Sequence, residues 1–191
     1  MGGQQADRSQ LIGLAGTFAS GKDTLAKRLV ETFGYEHAST GDMVRKIALE
    51  RYGSVERPVL ARTAAEERHV RGAGALVQEA LVRHGRPLIV SGLRSLGEAK
   101  EIRQAGGILL FIDAPLEVRY ERMRSRQRDQ EVQQSLEDFT TGEQKEWYGG
   151  DRDDDFNLRG IRDMADVVLD NALTLEPFIE AAYRALGLKI A

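Results

Sequence analysis

The run Gly16-Thr17-Phe18-Ala19-Ser20-Gly21-Lys22-Asp23-Thr24 constrains this chain more than any other feature. The apolar stretch Leu11 to Ala15 precedes it, and a helical pattern of Leu25, Leu29, Val30 and Phe33 follows. Strand, glycine loop and helix in that order match the phosphate-binding pattern G-x-x-x-x-G-K-[ST] at every position except the last, where Asp23 stands and Thr24 follows. Glycines let the backbone turn tightly and approach an anion, so that backbone N–H groups wrap its oxygens. The helix then begins with its positive dipole end aimed at the same anion. Lys22 adds a point charge between the terminal phosphates. The residues expected to hold phosphate are Gly16, Phe18, Ala19, Ser20, Gly21, Lys22, Asp23 and Thr24.

Five short apolar runs read as strands: Leu11–Ala15, Tyr35–Ala38, Leu88–Ser91, Ile108–Asp113 and Val167–Asp170. Helical patterns lie between them. That alternation predicts an α/β architecture of three layers, a parallel sheet of about five strands with helices on both faces. Ligands of such sheets gather at the carboxyl ends of the strands. Each run here ends in polar or glycine-containing residues, such as Ser39-Thr40-Gly41-Asp42 and Ser91-Gly92-Leu93-Arg94, and these ends are expected to converge on one crevice.

At 191 residues the chain is long enough for one domain with a real core, read here as residues 11–191 behind a flexible leader over 1–10. A net charge of −3 argues against a general nucleic-acid-coating role. The absence of cysteine excludes a disulfide framework, a thiolate nucleophile and a cysteine-based zinc site. No run of 18 apolar residues and no signal peptide are present, so the expectation is a cytoplasmic protein without a membrane partner. Residues 42–86 and 127–163 interrupt the strand–helix alternation and read as two inserts, the second very polar.

A second constellation, Ala38-Ser39-Thr40-Gly41-Asp42-Met43-Val44-Arg45, resembles the S-T-G-D-M-x-R signature of adenylate kinase and its nucleoside monophosphate kinase relatives. The resemblance continues over Gly74 to Glu79, and without gaps from Asp113-Ala114-Pro115 to Arg126. Gly92-Leu93-Arg94 is similar to the family's G-F-P-R, one residue shorter. Two further branches are similar in places. The G-K-D-T ending, with Arg94 and Ala105-Gly106-Gly107, resembles phage-type deoxynucleoside monophosphate kinases; Ala165-Asp166-Val167-Val168-Leu169-Asp170-Asn171 resembles the A-D-x-V-I-x-N end of dephospho-coenzyme A kinases.

The resemblance implies a P-loop kinase fold in which 42–86 binds the acceptor and 127–163 forms a lid. It implies Mg2+ and ATP as cofactor and phosphoryl donor, and a nucleotide monophosphate or related small molecule as acceptor. It assigns Thr40, Gly41, Asp42, Arg45 and Arg94 to the acceptor, and Arg122 and Arg126, one helical turn apart, to a clamp on the transferring group. Lys22, Arg94, Arg122 and Arg126 are then the catalytic set. Phosphoryl transfer is mostly positioning and charge stabilisation, and the planar fork of arginine suits it. One of Arg152, Arg159 and Arg162 is a further source of lid charge.

Two departures stand out. Asp23 takes the place of the usual Ser or Thr ligand to magnesium, and Ser91 stands where many monophosphate kinases carry an aspartate. Either Asp23 supplies a carboxylate to the metal, as the chemistry of Mg2+ allows, or it caps the helix; Asp113 is another metal candidate. The three histidines have no metal-site spacing and read as structural or surface residues. Trp147 and Tyr148 either stack on a base or anchor the lid, and Glu66-Glu67-Arg68 reads as a solvated helix face. Three functional readings result: a kinase phosphorylating a nucleoside or deoxynucleoside monophosphate; a dephospho-coenzyme A kinase-like enzyme with Asp42 as general base toward a hydroxyl; and an ATP-binding regulator without turnover.

Overall fold

The computed structural model describes residues 10–125, 135–172 and 174–189. Strands β1 (Leu11–Gly16), β2 (Glu36–Ser39), β3 (Leu88–Leu93), β4 (Ile108–Asp113) and β5 (Val167–Asp170) form a parallel sheet in the order β2-β3-β1-β4-β5. The strands are those read from the sequence, displaced at their ends by up to two residues. Between β1 and β2 lies α1 (Lys22–Phe33); α2 (Thr40–Tyr52), α3 (Arg57–Arg71) and α4 (Ala75–Arg83) separate β2 from β3. Helix α5 (Leu96–Gln104) precedes β4, and α6 (Leu116–Ser125), α7 (Leu136–Trp147) and α8 (Leu158–Met164) precede β5. Helix α9 (Leu175–Ala185) ends the described chain.

The period of two along each strand divides the core. Ile12 and Leu14 of β1, Ile89 of β3, and Leu110 and Ile112 of β4 face α1 and α9, where they meet Leu25, Leu29, Phe178 and Ile179. Leu11, Leu88, Val90, Leu109 and Phe111 face the other way, onto Val77 of α4, Ile102 of α5, and Leu158 and Ile161 of α8. A sheet covered on both faces needs continuous apolar strands rather than alternating ones, which is why these runs carry so few polar residues. Helix α8 lies within the stretch read as a lid, yet two of its side chains are core residues.

Two local devices aim the chain at the carboxyl edge. The β1–β3 register shifts between Leu14 and Ala15, so that Leu14 pairs with Ser91 and Ala15 with Leu93. Gly92, at φ 85°, is the extra residue, and a Cβ there would lie 2.9 Å from Thr40 Oγ1. Thr40 Oγ1 sits between the Ser91 and Gly92 carbonyls, at 3.2 and 2.9 Å. A bulge of this kind redirects the residues that follow it, here Arg94.

Phe111 is fully buried and meets the Trp147 ring edge-on at 6.3 Å. Phe111→Ala is expected to lower the unfolding free energy by about 3–5 kcal/mol. Val82→Ala, at a side chain on the surface of α4, should stay within about 0.5 kcal/mol of the parent. Urea denaturation of the two variants checks both.

Candidate functional site

A cavity of about 350 Å3 opens at the carboxyl ends of β1, β2 and β3. One wall is the loop from Phe18 to Asp23; the opposite wall is Thr40 to Asp42, Val44 and Arg45 of α2 with Arg57 and Leu60 of α3. Arg68, Arg94, Glu98, Glu146 and Phe156 close its far side.

The loop is built by close approach. Gly16 has φ 142°, and a Cβ on it would come 2.0 Å from the Ile112 carbonyl oxygen of β4. A Cβ on Gly21, at φ 104°, would come 2.3 Å from Asn171 Nδ2. Between them Ala19 holds φ 59°, a left-handed conformation uncommon for alanine and typical of strained functional turns. No side chain caps α1 at Gly21, and the amides of a helix's first turn have no intrahelical acceptor. Lys22 Nζ donates to the Gly16 and Thr17 carbonyls at 3.0 and 2.6 Å, so its ammonium lies inside the loop it follows.

The wall formed by α2 and α3 is rich in cations, and acids balance them. Arg94 pairs with Glu146 of α7, which also lies 3.6 Å from Arg57. Glu146 raises the pKa of Arg94 beyond its ordinary value, against the opposing effect of burial. The Arg57 guanidinium sits 4.8 Å above the Phe18 ring. His37 Nε2 shares a hydrogen bond with Ser91 Oγ at 2.8 Å, and desolvation lowers its pKa, with Asp23 and Asp42 pulling the other way. The imidazole at this wall is therefore neutral near pH 7.

Behind the loop, Asn171 and Arg119 tie several elements together. Asn171 Nδ2 donates to the Ser20 carbonyl at 2.8 Å, and its own backbone and side-chain oxygens accept from Arg122 at 3.0 and 3.3 Å. Arg119 is buried, donates to the Ala114 carbonyl at 2.7 Å, and pairs with Glu143 of α7.

Of the residues singled out from sequence, Phe18 to Asp23, Thr40, Gly41, Asp42, Arg45 and Arg94 line the cavity together. Gly16 and Thr24 flank the loop. Arg122 sits behind it on Asn171 rather than on the cavity wall. Arg126, the other member of the expected clamp, lies outside the described residues, as do residues 1–9 of the expected leader 1–10. Asp113 is not on the cavity wall; its Oδ1 accepts from Thr17 Oγ1 at 2.7 Å and from the Ala114 N–H at 2.9 Å. Arg152 pairs with Asp154 at 3.0 Å, and neither it nor Arg159 nor Arg162 reaches the cavity. Trp147 anchors α7 in the core and is not placed to stack on a ligand.

The reading of Glu66-Glu67-Arg68 as a solvated face is corrected. Glu67 is 2% exposed and bridges Arg51 and Arg71 at 2.6 and 2.9 Å. Arg68 is 3% exposed, donates from Nε to the Asp154 carbonyl at 2.8 Å, and lies 4.7 Å over the Phe156 ring. Both are covered because α3 packs on α2 and because residues 153–156 fold back over it. Arg57, Arg68, Glu98 and Glu146 were missed as cavity residues. Only the helical spacing of Arg57, Leu60, Ala61, Ala64 and Arg68 along one face of α3 hinted at the first two.

The donor chemistry is compatible with Mg2+. Asp23 places a hard oxygen ligand on the cavity wall at the first turn of α1, and Mg2+ is commonly held by one or two carboxylates with phosphate and water. Among the described residues no group of three or more His, Cys, Asp or Glu side chains is arranged to hold a metal by itself.

A family model described as an AAA domain matches residues 12–146. The chain belongs to this AAA-domain family of P-loop proteins. A UPF0200/UPF0201 protein of Archaeoglobus fulgidus is 30% identical over 95% of this chain and 56% of its own length, so the chain spans little more than half of that relative. A protein of Haloarcula marismortui named cytidylate kinase is 32% identical over 81% of this chain and 79% of its own. Among solved structures, TT1252 from Thermus thermophilus is similar at a TM-score of 0.60 and 25% identity, covering 93% of this chain and 95% of that one. No helix among the described residues of this P-loop protein is long and apolar enough to cross a membrane.

Burial holds the Glu143 carboxyl above its ordinary range, against the lowering effects of Arg119 and the Phe18 N–H. The folded protein thus keeps a proton that the unfolded chain has released, so stability falls as pH rises from about 4.3 through the folded-state pKa. Glu143→Gln is expected to flatten that stretch of the profile, measured by urea unfolding between about pH 4 and pH 7.

Proposed function

We propose that this P-loop protein is a nucleotide kinase, moving the γ-phosphate of Mg-ATP to a nucleoside or deoxynucleoside monophosphate. The observation that carries the reading is the single cavity in which the phosphate loop with Lys22 faces Arg45, Arg57 and Arg94. Two phosphate groups brought into line repel each other, and cations on both sides offset that repulsion. The relative named cytidylate kinase, 79% of whose length is matched, supports the class.

On this reading the loop amides and Lys22 hold the donor phosphates, and Arg45 and Arg94 orient the acceptor phosphate. Arg94 exchanges Glu146 for the acceptor as that phosphate arrives. Arg122, seated on Asn171, lies on the donor side with Arg126 as its expected partner. Mg2+, where bound with the nucleotide, would supply charge neutralisation of the phosphates, and Asp23 would offer it a carboxylate oxygen from the cavity wall.

A second reading, a hydroxyl acceptor of the dephospho-coenzyme A type, is favoured by Asp42, a carboxylate on the same cavity wall at the first turn of α2. It leaves the arginines opposite the loop without a task. A regulator that binds ATP without turnover is the third.

ADP release from Mg-ATP, screened against ribo- and deoxynucleoside monophosphates and dephospho-coenzyme A, separates the three. The expected outcome is turnover with one or a few monophosphates. Lys22→Ala should lower kcat by roughly 10²–10³-fold, as removal of a transition-state charge does elsewhere. Arg94→Ala should raise the acceptor KM about tenfold to a hundredfold, the worth of a charged hydrogen bond. Turnover with dephospho-coenzyme A alone overturns the first reading, and silence across the panel with ATP still bound favours the regulator.

A further inference from the structure

Glu98 is 1% exposed, and its two carboxylate oxygens are unequal. Oε2 closes the capping box of α5, accepting from the Arg94 N–H at 2.7 Å and the Ser95 N–H at 3.1 Å. Among the described residues Oε1 accepts no hydrogen bond, although it is buried and Glu98 lines the cavity. Buried carboxylate oxygens are nearly always partnered, because leaving one bare forfeits its solvation without return. A helix cap needs one oxygen only, and serine, glutamine or a backbone carbonyl supplies neutral ones. The second oxygen is therefore surplus to the fold.

Arg68 forms the complementary half. Its Nε is taken by the Asp154 carbonyl, and the Phe156 ring under the guanidinium fixes its plane. The terminal nitrogens make no ion pair or hydrogen bond among the described residues, and the side chain lines the same cavity. Burial lowers its pKa, and Glu98 is the largest influence opposing that. The space beside these two groups has apolar walls of Val44, Leu60, Ala61, Ala64 and Leu76. One unpartnered acceptor, a two-pronged donor and apolar side chains beside them suit a planar heterocycle with a polar edge.

We infer that Glu98 and Arg68 read the base of the acceptor nucleotide and select cytosine. The inference rests on the monophosphate-kinase reading of this cavity. Cytosine presents, in sequence along one edge, an amino donor at N4 and acceptors at N3 and O2. The N4 amino group donates to Glu98 Oε1, and the parallel N–H groups of Arg68 donate to N3 and O2. Uracil puts a carbonyl oxygen where the amino group stands, directly against the carboxylate. Guanine presents two adjacent donors to the one open oxygen, and adenine gives the fork one acceptor and a C–H. Arg94 follows β3 immediately and starts the turn that Glu98 caps, so the residue proposed for the phosphate and the residue proposed for the base are held by a single hydrogen-bonded unit.

The test compares kcat/KM for CMP, UMP, AMP and GMP and their deoxy forms, with calorimetric Kd values for CMP and UMP read independently of turnover. The protein as it stands should prefer CMP over UMP by at least about tenfold, since a buried polar group left facing its like discriminates strongly. Glu98→Gln keeps an oxygen for the helix cap and turns an amide NH2 toward N4 of cytosine, donor against donor, so it should abolish the preference for CMP over UMP, without favouring UMP, whose N3–H still meets the Arg68 donors. Arg68→Lys keeps the charge but not the fork, and should raise the KM for CMP with little change in kcat. A merely structural role for either residue would weaken all acceptors alike, and that result overturns the inference. Turnover of another monophosphate, with CMP no better than UMP, overturns it while leaving the kinase reading intact. Absence of turnover with every monophosphate removes the kinase reading, and the CMP and UMP Kd values then decide base selection by themselves.

Discussion

The turn that carries β1 into α1 is the constraint on which the other arrangements depend. It has no room to be anything else: Gly16 lies against the backbone of β4, and Gly21 lies against the side-chain amide of Asn171. Each approach is closer than a Cβ permits. The first contact follows from the sheet order, since β1 is hydrogen-bonded to β4 on one side and to β3 on the other. The second follows from β5, whose carboxyl end delivers Asn171 to the Ser20 carbonyl. The phosphate loop is thus clamped by the last two strands of the sheet, and its left-handed residues are affordable because the surrounding packing over-determines them.

Charge is the second organising quantity. Lysine and arginine in a cleft need compensation, and each here has a different kind. Lys22 uses the carbonyls of its own loop, Arg94 uses a carboxylate from α7, and Arg68 uses a carbonyl and an aromatic face. The weakest of these is the last. A carbonyl and a ring hold the Arg68 guanidinium in place without an ion pair among the described residues, while Glu98 and the Asp154 and Asp155 carboxylates favour its charge from further away.

Much of this was legible in the sequence because local rules carry it. The five strands are apolar runs bounded by glycine and polar residues, the first loop is a contiguous pattern, and Arg94 falls at a strand end by position alone. What stayed hidden depends on contacts across long stretches of chain. Arg68 reads as solvated because Glu66 and Glu67 precede it; only residues 153–156, folding back from far along the chain, bury it. Glu98 closes the capping box of its own helix, and no periodicity reveals that its other oxygen is buried with no partner among the described residues. Arg122 and Arg119 show the limit of spacing arguments. Both lie on α6, yet the less anticipated Arg119 is the more buried, because the facing partner is Glu143 from a helix whose approach no local pattern specifies.

Helix α7 connects these observations. Glu143 and Glu146 are three residues apart and so share a face. Glu143 reaches Arg119 and the Phe18 N–H on the loop side, while Glu146 reaches Arg94 and Arg57 on the opposite wall. Trp147, next along, is fixed against Phe111 in the core. The helix is therefore packed into the core at its carboxyl end and presents one carboxylate to each wall. If Arg94 exchanges Glu146 for a phosphate, the acceptor side of α7 is released while Trp147 holds its end, and the displacement falls on Glu143 and through it on Phe18. Occupancy of one wall is then felt at the other through a rigid element of three turns.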